Sequence, residues 1–457
     1  FGGITWVEPV EINANLKYVG TGNKIQPKGP KDKVIRDPLR KAIELCPELG
    51  ELGWPRRGGV AEKASLFFQS GRVLPSKEPS EELKQAAINK VLENYPRSEC
   101  PIEFTRPEVF ITRERVRQVM DEVKMSSSPG FPDFVLGRTK GELFEKNGEL
   151  VVDLVLARLY LLSTKDAGKL SPQELVDQGF CDPIRIFVKD EPHPQEKLRN
   201  ERYRLISSVS VVDEVIERLL NNNQDAVEIA NWQTCPSKPG CGVDDDVQAA
   251  TLFKFLQDWL NEMDQNDVSG WDWSLRKWLF DLCAECHILL CGASPNSSFV
   301  KVLRNRVHCL CNSVFITSDG DMYVLTYEGV MKSGSKWTSG WNSKMRVLVA
   351  YLCGCERAIS YGDDAVVSRV ENQKEKMLEL GFRLTDEAPC KSDSFEFCSH
   401  EVREDKAILL NWRKTVYHHL QQEHTDELEN ALFFSLRHSP KFEYVKILVE
   451  MSGWKTA

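Results

Sequence analysis

Beyond residue 250 the hydrophobic pattern switches between strand and helix periods in one order, and that order limits the fold more than any other feature. TLFKFLQDWLNEMDQNDVSGWDWS (251–274) reads as a helix followed by a short segment with a polar tip. TSGWNSKMRVLVAYLCG (338–354) reads as a helix, with Thr or Ser at its cap and Gly at its end. Residues 357–370 read as a hairpin, ENQKEKMLELG (371–381) as a helix and SFEFCSHEV (394–402) as a strand. Strand–helix–strand–strand–helix–strand is the ferredoxin-like order. The expected class is therefore α+β.

Upstream, the first ~80 residues carry NKIQPKGPKDK (23–33) and WPRRGG (54–59), which predicts irregular, surface-hugging chain. SEELKQAAINKVLENY (80–95) predicts a helix capped by Ser80, and PEVFITRERVRQVMDEVKM (107–125) a second. SSSPGFPDF (126–134) is a stiff loop, because two prolines flank a Gly-Phe pair. PIRIFVKDEP (183–192) alternates as a strand, and RYRLISSVSVVDEVIERLL (202–220) passes from strand into helix. The rest, after residue 402, is mostly helical.

A length of 457 residues suggests about three domain-sized units. No apolar run reaches the ~18 residues of a membrane span; VVDLVLARLYLL (151–162) is broken by Asp153 and Arg158. Phe1 in place of Met implies a processed product or a chain cut from a longer one. The 14 cysteines are scattered, which fits a reducing compartment. Cys283, Cys286, His287, His308, Cys309 and Cys311 have a spacing that permits zinc. WSLRKWLFDLCAECHILL (273–290) nevertheless reads as one amphipathic helix, so buried structural cysteines are expected. The net charge of −9 disfavours a nucleic-acid partner on simple electrostatics.

SYGDDAVVSRV (360–370) places two acids side by side after a glycine. Gly and Asp suit turns, so GDD alone is ordinary turn chemistry. A second acidic site adds specificity: Asp267 and Asp272 flank Gly270, with Trp271 and Trp273 between and beyond them. That spacing predicts a buried aromatic face and an open acidic one. Two like charges ~4 Å apart repel by ~4 kcal/mol at an effective dielectric near 20. A proton or a cation relieves that repulsion. Carboxylates are hard oxygen ligands suited to Mg²⁺, and a pair of such ions activates a hydroxyl and stabilises a leaving pyrophosphate. Alternation along a strand makes Asp363 the leading ligand and Asp364 secondary. A third element, GVMKSGSKWTSGWNSKMR (329–346), offers a flexible Ser333-Gly334 pair, with Thr338 and Asn342 four apart on one helical face.

In this order D-x₄-D, S-G-x₃-T-x₃-N and G-D-D resemble the palm of positive-strand viral RNA-dependent RNA polymerases. SSSPGFP (126–132) resembles the loop that admits the template, FVKDEP with RYRLIS (187–192, 202–207) the basic nucleotide channel, and FEFCSHEV (395–402) the primer-grip hairpin. GFRLTDEAPCKS (381–392) resembles the segment with the general-acid lysine. CPELGELGWPRRG (46–58) and FCSH resemble the sobemovirus-like group. The resemblance implies a right-hand fold: a ferredoxin-like palm sheet with mostly helical fingers and thumb. It implies fingers over 1–207 with N-terminal fingertip segments, palm over 208–276 and 326–402, a fingers insertion over 277–325 and a thumb over 403–457. Only about 55 residues follow the primer-grip hairpin, so that thumb is expected to be reduced or truncated.

The resemblance also assigns roles. Asp267 and Asp363, with Asp364 beside them, match the metal-binding catalytic acids, for Mg²⁺ or Mn²⁺ as its substitute. Asp272 and Asn342 match the pair that reads the ribose 2′-hydroxyl, helped by Ser333 and Thr338. Lys189 and Arg204 match residues on the incoming triphosphate, and Lys391 the lysine that protonates pyrophosphate. Ser128, Pro129 and Gly130 would meet the template. The implied partners are template and nascent RNA, ribonucleoside triphosphates, and a protein primer or other replication proteins, in a replication complex in the host cytoplasm. Three rivals stand beside it: a non-catalytic RNA-binding protein with the same fold, another paired-carboxylate enzyme such as a glycosidase, and a structural protein built on the Cys/His cluster.

Overall fold

The palm sheet of this computed structural model, which describes residues 2–27 and 29–457, has four antiparallel strands. Their spatial order is Ala358–Tyr361, Asp364–Ser368, Met263–Val268, Leu384–Pro389. In chain order that is second, third, first, fourth, the ferredoxin-like arrangement. Alternation sends side chains into two cores. Ala365, Val367 and Val268 face the helices Gly340–Leu352 and Gln373–Leu380. Ile359, Val366 and Met263 face the helix Asp246–Leu256 and the aromatic pair Phe253–Phe395. Burial on both faces makes the sheet a rigid floor.

The fourth strand is a correction to the sequence reading. It is Leu384–Pro389, a polar edge strand ending in proline, and so without a legible alternation. SFEFCSHEV is two strands, Ser394–Phe397 and His400–Arg403. The chain reverses because Cys398 and Ser399 both take left-handed backbone (φ 52° and 60°), as a two-residue hairpin turn of type I′ demands. With Ala407–Leu409 they form a separate three-stranded sheet.

The N-terminal region also departs from expectation. Thr5–Asn13 and Leu16–Thr21 form a hairpin that extends a six-stranded sheet through Asp321–Leu325 and Val314–Ile316 to Ile184–Val188 and Leu205–Ser208. Thr5–Asn13 is an exposed edge strand, so it lacks an apolar face to read. Two helices follow, Asp37–Leu45 and Gly59–Ser70. The first packs not here but against the C-terminal helices Trp412–Leu420, Asp426–Leu436 and Phe442–Ser452: its Leu39 and Ala42, with Leu49 of the turn Pro47–Glu51 that follows, share a core with Val416, Leu432 and Leu448.

Elsewhere the helix at 80–95 is Glu81–Asn94, with Ser80 accepting from Leu83 N at 3.2 Å. The helix expected over 107–125 is only Arg113–Met120, and the one over 273–290 breaks into Trp271–Ser274 and Lys277–Leu290. Among the described residues no helix is long and apolar enough to cross a membrane.

Candidate active site

The acids meet at one end of the two central palm strands. The register Ala365↔Asn266 sets Asp364 across from Asp267, a placement that like charges disfavour. Burial pushes the Asp364 carboxyl up to about 7; Asp267 and Asp363 add to the rise, and the Cys398 N–H, 2.6 Å from Oδ2, opposes it. Asp267 and Asp364 line a polar cavity of about 630 Å³ with Gln265, Thr385 and Glu396. Asp363 lies in the two-residue turn before the strand, where Gly362 takes φ 60°. Strand alternation therefore does not govern Asp363, and Asp364, expected to be secondary, is the acid that lines the cavity beside Asp267. Burial also raises the Asp363 carboxyl.

The helix Gly340–Leu352 buttresses this turn through two residues the sequence reading passed over. Ser343 Oγ accepts from Gly362 N at 2.8 Å. The buried Arg346 donates to Asp363 O at 3.3 Å and to Asn266 Oδ1 at 2.5 Å. Their signal was present in the sequence: both stand one turn or less beyond Asn342 on the same helix.

Asp272 and Asn342 are a pair, as expected. Asn342 Nδ2 donates to Asp272 Oδ1 at 3.1 Å, and Trp271 Nε1 donates to Asn342 Oδ1 at 2.6 Å. The indole thus turns the amide so that its NH₂ faces the acid. Trp271 and Trp273 are buried, as the spacing implied, but in a helical turn. Burial, and then the Asp363 carboxylate, push Asp272 up to about 6.

Residues 42–412 match the family described as viral RNA-directed RNA-polymerase. The chain belongs to that family. It is 40% identical to the replicase polyprotein P2AB of Southern cowpea mosaic virus over 88% of its own length and 43% of the polyprotein. It is 33% identical to that of Cocksfoot mottle virus over 99% and 50%. It is 34% identical to protein P1-P2 of Potato leafroll virus over 83% and 38%. The chain thus spans half or less of the length of these curated relatives. They bear out the resemblance to the sobemovirus-like group. Among solved structures, the Sicinivirus 3Dpol RNA dependent RNA polymerase superposes with a TM-score of 0.70 at 13% identity, over 95% of this chain and 93% of that one. The right-hand fold expected from the motifs is the fold observed.

In this family member the Ser333-Gly334 pair is docked rather than loose. Ser333 Oγ accepts from Ser207 N at 2.9 Å, and Gly334 N donates to Ser207 O at 2.9 Å. A Cβ on Gly334 would lie 2.7 Å from Ser207 O. Thr338 ends the 3₁₀ turn Lys336–Thr338 and so precedes the helix of Asn342 instead of sharing its face.

Lys189 and Arg204 are joined by a residue the sequence reading did not single out. Glu191 accepts from Arg204 at 2.9 Å, and pairs with Lys189 at 3.3 Å and with Lys414 of the C-terminal helices at 3.5 Å. Arg204 is near enough to Asp272 and Asp363 to favour their ionised forms.

Ser128, Pro129 and Gly130 form a braced loop: Ser128 Oγ accepts from Gly130 N at 3.2 Å and Pro129 O from Val211 N at 2.9 Å. Gly130, at φ 81°, passes so close to Ser210 that a Cβ would meet its Cα at 3.0 Å. Ser128 lines a cavity of about 560 Å³ where Arg57, Lys124, Lys140 and Arg185 meet Glu62, Asp190 and Glu214, so the lining is mixed in charge, with Arg57 paired to Asp190 and Lys140 to Glu214. Lys391 is exposed beyond the fourth palm strand and does not line the acidic cavity.

The palm donors are all carboxylate oxygens; burial raises Asp363 and Asp364, with Asp267 and Asp363 adding to the rise at Asp364, and such a set fits a hard divalent cation. Among the described residues the trio of His, Cys, Asp or Glu whose ligand atoms lie within 4.8 Å of one another is His424, Asp426 and Glu429. Among the described residues Asp267, Asp363 and Asp364 are not grouped that closely. Cys283, Cys286 and His287 do not form such a trio; His287 Nε2 contacts Leu220 O at 2.9 Å, and burial pushes both thiols up, keeping them protonated.

Proposed function

We propose that this chain performs template-directed RNA synthesis from ribonucleoside triphosphates by two-metal-ion nucleotidyl transfer, in the replication of a viral RNA genome. The observation that carries it is the Asp267–Asp364 cavity at the end of the central strands, with the hydrogen-bonded Asp272–Asn342 pair near Asp363.

Asp267, Asp364 and Asp363 would hold Mg²⁺, with Mn²⁺ as a substitute; bound there, it lowers the pKa of an attacking 3′-hydroxyl and stabilises the leaving pyrophosphate. Arg204 and Lys189 exchange Glu191 for the triphosphate, since phosphate takes the same guanidinium and ammonium donors. Asp272 accepts a hydrogen bond from the ribose 2′-hydroxyl while Asn342 donates to it. A deoxyribose would leave both buried polar groups unpaired, which rejects it by up to ~10⁴-fold. At Ser128 a template phosphate would displace carboxylates from Arg57 and Lys140, and Lys391 is proposed as the proton donor to pyrophosphate once the exposed side chain turns inward. Protein partners and action in the host cytoplasm belong to the same proposal.

The test is incorporation of labelled UTP on poly(A), with and without Mg²⁺, in wild type and Asp364→Asn. Mg²⁺-dependent, template-dependent product lost in the variant is the expected result. Template binding without product in wild type would favour a non-catalytic RNA-binding protein.

A further inference from the structure

Two guanidiniums share one phenyl ring on the outer side of the fingers–palm boundary. Arg72 lies 5.5 Å and Arg202 4.7 Å from the centre of the Phe68 ring. Among the described residues neither makes an ion pair, so two like charges stand together without a carboxylate in salt-bridge contact with either. Arg72 donates to neutral partners, Gln69 Oε1 and Ser269 Oγ, each at 3.1 Å. A cavity of about 730 Å³ opens beside them, walled by both arginines, Phe67, Phe68 and Asn200. Glu201 also lines it. Phe67 is 51% exposed, an apolar ring face turned to solvent in a cationic setting. The volume is within the ~300–1,000 Å³ of small-molecule sites.

We propose that this cavity is an outer holding site for a ribonucleoside triphosphate, with the phosphates on Arg72 and Arg202 and the base on Phe67. The inference rests on the polymerase reading. Guanidinium forks match phosphate oxygens. Base stacking on an aromatic ring is tolerant of base identity, which suits a site that must take all four nucleotides. The way inward is marked by cations. Lys197 lies near enough to Arg72 and Arg204 for both to add to the burial that depresses its ammonium, and Arg204 in turn faces Asp272 and Asp363. The cavity also touches the catalytic loop. Arg72 lies against Gly270, between Asp267 and Asp272, where a Cβ would stand 2.7 Å from Arg72 Nε. A strand of RNA fits less well: the Asn13–Asn15 turn bounds the cavity and is tied down by Asn13 to Ser70 Oγ and Asn15 to Ser70 O, both at 3.1 Å.

The test uses the full chain, 8-azido-ATP as a photolabel without template, and steady-state incorporation with template. Arg202→Glu changes an exposed side chain; Phe67→Ala is the second variant, since it leaves the charge untouched. The expected result is label on the peptide holding Phe67–Arg72, reduced by about tenfold in both variants, with a similar rise in KM for nucleotide and kcat within about twofold. Label confined to palm peptides, with KM unchanged in both variants, overturns the inference and leaves the polymerase reading standing. Wild type that labels at Phe67–Arg72 yet incorporates nothing upholds the cavity and overturns the polymerase reading instead.

Discussion

At the scale of single residues, the structure turns on which polar groups have partners. Asp272 has one donor, Asn342, whose orientation is set by the Trp271 indole. Asp272→Ala should therefore keep CTP incorporation measurable while reducing discrimination against dCTP by at least about tenfold. Unchanged discrimination in the paired assay would remove Asp272 from sugar selection. Asp133 has the opposite condition. Its Oδ2 lacks a hydrogen-bond partner, and burial, with Asp182 nearby, pushes its carboxyl from an ordinary 3.8 up to about 8. The native state therefore holds a proton that the unfolded state has released. Its stabilising contribution is complete below the unfolded value and is lost as pH rises through about 8, at up to ~1.4 kcal/mol per pH unit. Asp133→Asn stays neutral throughout. Thermal melts should show the variant gaining on wild type as pH climbs from about 5 to about 8, and parallel curves would contradict the reading.

At the scale of elements, the hairpin at 394–403 carries the clearest prediction. Ser399 takes φ 60° without being glycine, which costs about 1–2 kcal/mol in the left-handed region. Ser399→Gly should raise the melting temperature, whereas no change would mean the turn is not held as described. This turn also explains what the sequence concealed. GDD, D-x₄-D and S-G-x₃-T-x₃-N were legible because each pattern fixes residue types at set spacings, and the structure pairs Asp267 with Asp364 across the central strands and Asp272 with Asn342 by a hydrogen bond. The fourth palm strand was not, because Leu384–Pro389 is a polar edge. Nor was the hairpin reversal, because Cys398-Ser399 is not a recognisable turn pair. The N-terminal hairpin escaped for the first reason: its outer strand buries almost nothing. Glu191 escaped because a carboxylate in a basic motif reads as surface charge until its three cations are seen.

At the scale of the whole molecule, the chain's beginning is built into its end. Asp37–Leu45 lies in the C-terminal core, Glu48 pairs with Arg413 at 2.6 Å, and the Trp54 ring lies 6.0 Å from Tyr417. The N-terminal segment and the 403–457 region are thereby tied together. Leu39 is fully buried in that core, so Leu39→Ala should cost about 2–5 kcal/mol and expose the 403–457 region to early proteolysis. Cleavage there at the wild-type rate would separate the two ends. Within the net charge of −9, Arg57, Lys124, Lys140 and Arg185 share one cavity with Glu62, Asp190 and Glu214, and an RNA phosphate there would compete with those carboxylates for the cations. RNA affinity should therefore fall steeply with log salt, and a flat dependence would rule out a basic channel.

If Asp267 and Asp364 hold a divalent cation, as proposed, the metal should be found in the cavity they share. Crystals soaked in Mn²⁺ and measured at its absorption edge test this directly. An anomalous peak bridging the two carboxylates, absent in Asp267→Ala, is the predicted result. Full Mn²⁺ occupancy elsewhere, with the two acids left unliganded and still apart, would contradict it.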